Sequence, residues 1–441
     1  MSENQNSFHL VYGPNDKSRS AKDTVIYAIQ WIFIMFYPVI WGYVIVGLGL
    51  EMSGGELANY MTRVVFMIGV STLIQVLTGH KLAMVSGPNI IPSLAIVAAY
   101  TVGGKEYALQ SFNAYIIAGI VVAILGGCGI ISLIGKVWTP LVSGSMIMMV
   151  GLTTSSTGIA NIASFGATFP FYFAVLIALL CGFLSLRGKG MIATIPVLIA
   201  IIVGYVGFIA MGKFDWQLVQ SMPLFTYPTI FPYGFTFPPV DLIFTMIIVN
   251  IFSAVNLYGN VQGYTGIIGV KTNVKDERRY FTVFGLVEGV LTGIFGVPSH
   301  VAYGENLGMI LLTRVAAKVF IIIASIVFIV LSFLGPVGGL MAAMPQPVAG
   351  AVLLGVASTL IGLGASIWNS QKFETREIFI CGFSVFLALG LSMLPSDFYD
   401  SIPRIVGTIM NNSVIMVIII CMLLEQVVFR EKPETNIVKE N

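Results

Sequence analysis

Apolar residues run through this chain in blocks of about the length that crosses a bilayer as an α-helix, roughly 20 residues. The blocks fall at 24–49, 57–78, 82–101, 113–134, 140–158, 169–186, 191–211, 238–261, 280–296, 299–314, 316–335, 346–365, 377–394 and 405–429. The pattern predicts an all-α polytopic membrane protein with fourteen transmembrane segments. The third and tenth segments, 82–101 and 299–314, differ from the rest. Each opens on a Gly/Pro/Ser stretch and leaves only a short helical run.

Composition supports a membrane protein. Charged residues make up 10% of the chain and hydrophobic residues 57%, with a mean hydropathy of +0.92. A soluble protein of this size needs far more polar surface. No charged residue lies between Lys136 and Arg187, or between Lys318 and Lys372, and each gap has room for two spans. The net charge of +2 gives no basic excess for a nucleic-acid partner. With the N-terminus on the cytoplasmic side, only Arg63, Lys105, Lys213 and Arg404 fall outside, and the other eighteen Lys and Arg fall inside. That asymmetry places both termini in the cytoplasm and the chain in the cell membrane. The polar start, Met1 to Asp23, lacks the layout of a cleaved signal. Cys128, Cys181, Cys381 and Cys421 sit in apolar runs without metal-ligand spacing, so buried free thiols are expected. Three histidines scattered at 9, 80 and 300 supply no catalytic cluster, and neither an enzyme, a metal site nor a cofactor is expected.

The two unusual segments resemble each other. Gly87-Pro88-Asn89-Ile90 corresponds to Gly304-Glu305-Asn306-Leu307, and Pro140-Leu141-Val142-Ser143-Gly144 to Pro347-Val348-Ala349-Gly350, in the same order in the two halves. Seven spans per half is an odd number, so the halves enter the membrane from opposite sides as a 7+7 inverted repeat. Non-helical backbone survives at membrane depth only where protein or a wet cavity covers it. Segments 3 and 10 are therefore expected to be a short strand (84–89 and 299–304) leading into a half-helix. The free N–H groups and positive dipole ends at Asn89–Ile90 and Asn306–Leu307 suit a carbonyl-rich or anionic ligand.

The run Glu305-Asn306-Leu307-Gly308-Met309-Ile310-Leu311-Leu312-Thr313-Arg314 resembles the E/Q-N-x-G-x-x-x-x-T-R motif of the nucleobase–ascorbate transporters. Five fixed positions match, inside the expected span, and the likeness extends along the whole chain. It includes Tyr303-Gly304 before the motif and Gln30 in the first span. The resemblance implies cytoplasmic tails at 1–23 and 430–441. It implies a core domain of spans 1–4 (24–134) and 8–11 (238–335), and a gate domain of spans 5–7 (135–215) and 12–14 (336–429). A nucleobase then binds between the domains of a homodimer and is imported by proton symport with an elevator-like motion. The partners are the base and membrane lipid. Glu305 can accept ring N–H donors, Asn306 can both donate and accept, and Gly304 lets backbone approach closely. Arg314 suits membrane anchoring and gating equally.

The chain departs from the family in the eighth span. Asn256 stands where an acid is usual and Asn260 one turn later, and the two share a helix face. Both amides can hydrogen-bond a base, but neither carries a proton. Asn89 occupies the place of a stacking aromatic. Glu288, three residues beyond Gly285 in the ninth span, is the proton-coupling candidate, with a structural pairing as its alternative. His80 is expected at an inner surface and His300 lining the cavity. An oxidised purine such as xanthine or urate is the favoured substrate. Uracil, or a facilitator without proton coupling, remains open. Inorganic anion exchangers of the same fold lack the E-N-x-G run.

If Glu305 meets the base, Glu305→Gln removes a charge-assisted hydrogen bond of about 1.5–3 kcal/mol. Binding should weaken at least about tenfold or change its preferred base. Unchanged affinity across a panel of bases removes Glu305 from the site.

Overall fold

The computed structural model describes residues 9–430, except 137, 190, 191, 193, 194 and 305. Glu305 and the distal parts of both tails thus lie outside the described residues. The helices are α1 (Ala21–Met35), α2 (Gly54–Leu77), α3 (Ile90–Cys128), α4 (Pro140–Ile162), α5 (Phe169–Arg187), α6 (Pro196–Ala210), α7 (Val240–Ile268), α8 (Val274–Phe284), α9 (Asn306–Thr313), α10 (Lys318–Ser332), α11 (Gln346–Trp368), α12 (Thr375–Ser392), α13 (Arg404–Asn411) and α14 (Ser413–Leu423). α1 continues through Tyr37–Trp41 into a π-helical turn, Gly42–Gly47, and α8 continues into a second one, Gly285–Leu291. Among the described residues eight helices are long and apolar enough to cross a membrane, or up to nine if the pair bent by 89° at Asn412 is one span. α6 and α10 are apolar but shorter.

Local chemistry sets many of the boundaries. Ser20, Asn89, Thr139, Asn273 and Asn412 cap helix starts with side-chain oxygens that accept backbone N–H groups. Asn412 also donates to the Ile91 carbonyl at 3.3 Å, which ties the start of α14 to the start of α3. The 39 residues of α3 contain one non-helical residue, Gly104 (φ 76°, ψ −176°). Where sequence periodicity predicts a loop between 101 and 113, the chain therefore breaks at a single glycine.

The helices pack in two groups. α3 lies against α7 and α8, and α2 against α10, with α1 beside α10. α4 lies against α11, α14 and α12, and α5 against α11 and α6. Within the first group, Gly285, Gly289 and Gly293 repeat every fourth residue. A Cβ at Gly289 would sit 2.5 Å from Gly119 Cα, and one at Gly285 only 2.4 Å from Ala123 N. This is a small-residue contact in which backbones meet directly.

Two three-residue strands lie between these helices. β1 (Ser86–Pro88) and β2 (His300–Ala302) pair antiparallel, with Ser86 opposite Ala302 and Pro88 opposite His300. Asn89 N donates to Ser299 O at 2.9 Å and Tyr303 N to Val85 O at 3.0 Å, extending the ladder at both ends. Each strand is followed within a few residues by a helix, α3 after β1 and α9 after β2.

The N-terminal segment is an ordered strap. Val11 N and Tyr12 N donate to Arg314 O at 2.7 and 3.3 Å, and Ala316 N to Tyr12 O at 2.9 Å. Arg314 is left-handed (φ 56°), which turns its carbonyl outward from the end of α9. Tyr12 is buried against Tyr27 and Phe320, and its hydroxyl donates to Asp23. That bond raises the phenol above its ordinary range. His80 is buried rather than on the surface: its Nδ1 accepts from Leu82 N, and burial, with Arg279 nearby, pushes the imidazole down to about 3. Cys181, Cys381 and Cys421 are buried as expected, whereas Cys128 is exposed.

Gly289→Leu should force α3 and the Gly285–Leu291 turn apart and lower the thermal midpoint of the detergent-purified protein by several degrees, about 1–3 kcal/mol. An unchanged midpoint contradicts the close backbone contact.

Candidate functional site

The β1–β2 ladder has two faces. Side chains of Ser86 and Pro88 share one face with His300 and Ala302, and Gly87 and Val301 share the other. A Cβ at Gly87 would meet Pro38 at 2.3 Å and the Tyr303 ring at 3.0 Å. Only glycine allows these groups to close over the strand. The Gly87 face thus looks toward α1, and the Ser86 face toward α2.

A cleft of about 490 Å³ opens on the α1 side. One wall is Phe33, Phe36, Tyr37 and Pro38 with Val85, Tyr303, Asn306, Gly308 and Met309. The other is Cys181 and Ser185 of α5, Ile195–Leu198 at the start of α6, and Gly355, Val356 and Thr359 of α11. The cleft therefore separates the two packing groups. Its lining is mostly apolar with a few polar groups, the usual make-up of a site for a small heterocycle. Tyr37 and Tyr303 meet edge to face at 5.8 Å. The Tyr303 hydroxyl donates to Pro88 O at 2.5 Å, so this ring is fixed to β1. Asn306 opens α9 and is buried. Its amide donates to Tyr303 O at 2.7 Å and to Val85 O at 3.5 Å, which commits both N–H groups to the scaffold.

The remaining candidates among the described residues lie around this cleft rather than on its lining. Asn260 of α7 is half-buried and donates to Ala302 O at 2.8 Å. A Cβ at Gly304 would sit 2.8 Å from Asn260 Oδ1, so Asn260 grips the strand-to-helix turn. Asn256 is half-buried one turn earlier on α7. Asn89 is buried, accepts from Ile91 N at 3.1 Å, and leaves its amide nitrogen without a hydrogen-bond partner in the structure. Gln30 is buried on α1, one turn before the cleft-lining Phe33, and its carbonyl oxygen is also unpartnered.

Glu288 is on the opposite side of the strands. It is fully buried in the π-helical turn, and Gln75 of α2 donates to its Oε2 at 3.0 Å. Ser86 of β1 also faces this carboxyl group. Thr72, one turn from Gln75, accepts from Ser86 N at 2.9 Å. His300 is on this side too, its Nδ1 2.9 Å from Ser71 Oγ, so it does not line the cleft as the sequence suggested. The alternation of the strand decides this: His300 shares the face of Ser86, which points at α2. The structure thus joins Tyr303, Asn306, Gly304 and Asn260 around one turn, and sets Glu288 behind it. Sequence reasoning missed Tyr37, Ser185, Thr359 and Gln75, none of which belongs to a motif.

Comparison with known proteins gives concordant matches. The sequence matches a family model described as a permease family over residues 22–397. It is 25% identical to the uric acid permease PucK of Bacillus subtilis, covering 87% of this chain and 90% of that protein. It is 26% identical to the uracil permease of Bacillus caldolyticus over the same shares, and 24% identical to the xanthine permease of Bacillus subtilis over 89% and 90%. In fold it is similar to the transmembrane domain of the cyanobacterial bicarbonate transporter BicA, with a TM-score of 0.59 at 14% identity, covering 93% of this chain and 98% of that one. It is also similar to the murine anion transporter Slc26a9 in its inward-facing state, with a TM-score of 0.58 at 13% identity, covering 90% and 68%.

If Asn260 fixes the turn, Asn260→Ala should weaken base binding about two- to tenfold, the value of one neutral hydrogen bond. Gly304→Ala should impair binding as well, and Asn260→Ser should partly restore it by making room. Independent, additive losses in the double variant contradict a shared role.

Proposed function

This chain belongs to the nucleobase–ascorbate transporter family, and from that premise we propose that it imports an oxidised purine such as xanthine or urate by proton symport. The family is one of permeases, not enzymes. In this reading the fourteen segments form a 7+7 inverted repeat in the cell membrane, with segments 3 and 10 broken at β1 and β2 and both termini cytoplasmic. The group containing α1, α2, α3, α7, α8 and α10 is the core, and the group containing α4, α5, α6, α11, α12 and α14 is the gate. The core carries the base past the gate in an elevator-like motion, and the protein works as a homodimer.

One observation carries this reading: the cleft of about 490 Å³ lies between the two groups and meets the β2–α9 turn, where Tyr303 and Asn306 line it. A flat base fits between apolar walls there and meets the positive end of α9. Glu305, next in the chain to Asn306, is proposed to accept ring N–H groups. The aromatic pair Tyr37 and Tyr303 supplies ring surface on the core side, where Asn89 offers none. The uric acid and xanthine permease relatives support an oxidised purine. The uracil permease relative, together with the Glu at the head of the motif, keeps uracil as the second reading.

Glu288 is proposed as the group that carries the coupled proton. It is buried, ionisable and behind the strand that leads to Asn89. The purified protein in liposomes, given an inward proton gradient, should accumulate labelled xanthine or urate above equilibrium, and an uncoupler should abolish this. Glu288→Gln should still bind and exchange the base but only equilibrate it. Accumulation by that variant with the parent's pH profile shows that Glu288 is structural. Equilibration without accumulation by the parent indicates a facilitator.

A further inference from the structure

Gln75 is a polar side chain in the last turn of the apolar helix α2, fully buried, and it belongs to no motif. Both ends of its amide are engaged. Nε2 donates to Glu288 Oε2 at 3.0 Å, and Oε1 accepts from His80 N at 3.4 Å. These partners define its orientation, because a backbone N–H needs an acceptor and an ionised carboxylate needs a donor. The chain leaves room for it: a Cβ at Gly79 would sit 1.8 Å from Gln75 Oε1. The other carboxyl oxygen, Glu288 Oε1, and the hydroxyl of Ser86 are buried and lack a close hydrogen-bond partner. Ser86 nevertheless faces that carboxyl group, and its own backbone is held to Thr72.

Among the described residues the other elements around Glu288 bring no charged partner to it. α3 meets the turn through Gly119 and Ala123. β2 contributes His300, which is bonded to Ser71. Arg279 in the middle of α8 donates to Gly79 O and lies by His80 instead. Among the described residues the close hydrogen bond to the acid is therefore the one from the Gln75 amide, and the Ser86 hydroxyl faces its other oxygen without a close bond.

We propose that Gln75 is a positioning residue for transport: it holds the Glu288 carboxyl against the rear of β1, so that a proton on Glu288 changes the bonding of Ser86 and is felt at Asn89. With Glu288 ionised, Gln75 Nε2 donates to it and the facing Ser86 hydroxyl can act only as a donor toward it. When Glu288 gains a proton it gains a donor. Gln75 Oε1 is already occupied by His80 N, so the new O–H turns to Ser86 Oγ, and the Ser86 hydroxyl reverses from donor to acceptor. Ser86 is three residues before Asn89, the cap of α3, and across the ladder from Ala302, whose carbonyl holds Asn260. The bonding change thus occurs on the strand pair that carries the cleft wall. This inference rests on the reading of Glu288 as the coupling acid.

The test uses the full chain in liposomes with labelled xanthine, and labelled uracil in parallel. Binding at fixed pH and the pH dependence of accumulation are measured for Gln75→Met, Glu288→Gln and the exchange Gln75→Glu/Glu288→Gln. Gln75→Met, nearly the same shape without a donor, should bind within about threefold of the parent. Its pH of half-maximal accumulation should move by about one unit or more, the effect of a lost bond to a charged group. The exchange rebuilds the same bond with acid and amide reversed, and should regain part of the pH-driven accumulation that Glu288→Gln lacks. A parental pH profile in Gln75→Met, or an exchange no better than Glu288→Gln alone, overturns the role of Gln75. If Gln75→Met does not fold, the exchange decides. Accumulation by Glu288→Gln equal to the parent's rejects Glu288 as the coupling acid and Gln75 with it. A parent that takes up neither base contradicts the permease reading before any variant is compared, and one that equilibrates a base without accumulating it overturns proton coupling and the role of Gln75 with it.

Discussion

Six residues of paired strand hold the centre of this molecule together. In an apolar protein every backbone N–H and C=O needs a partner, and a helix meets that need alone. β1 and β2 cannot, so they meet it through each other, and the ladder extends to Asn89–Ser299 and Val85–Tyr303. That pairing fixes where α3 and α9 begin. It also separates two environments by the alternation of the strand: the cleft with Tyr303 on one side, and Glu288, Gln75 and His300 on the other.

The close contacts follow from the same constraint. Gly87 closes under Pro38 and Tyr303, Gly304 under Asn260, and Gly79 beside Gln75. Each places a side-chain or backbone group where a Cβ would otherwise be. The strand pair is thus held by α1, α2 and α7, with His300 as its one large side chain. The cleft wall and the buried acid thus lie on opposite faces of the same six residues.

Much of this was legible in the sequence. The apolar blocks, the charge asymmetry and the matched Gly-Pro-Asn and Gly-Glu-Asn runs pointed to a membrane transporter family, because lipid forces composition and length directly. Asn89 and Asn306 stand at helix starts because asparagine and glycine signal ends of helices. The rest was hidden for physical reasons. Strands of three residues are too short for alternation to reveal, so the face of His300 could not be read. Gln75 has no partner at helical spacing, since its partners come from residues 80 and 288. The gate-side lining, such as Ser185 and Thr359, carries no motif and is brought in only by packing. His80 looked like a surface residue beside Lys81, but the turn after α2 folds inward and buries it.

The central claim is that the base occupies the cleft at the β2–α9 turn. Protection of a single thiol tests it most directly. Met309 lines the cleft and Val301 is buried in the ladder. In a background without the four native cysteines, Met309→Cys should react with a small maleimide, and the base that the protein transports should slow that reaction at least about tenfold at saturation. Labelling of Met309→Cys at an unchanged rate, under conditions where the same preparation binds the base, would place the base elsewhere and contradict the account.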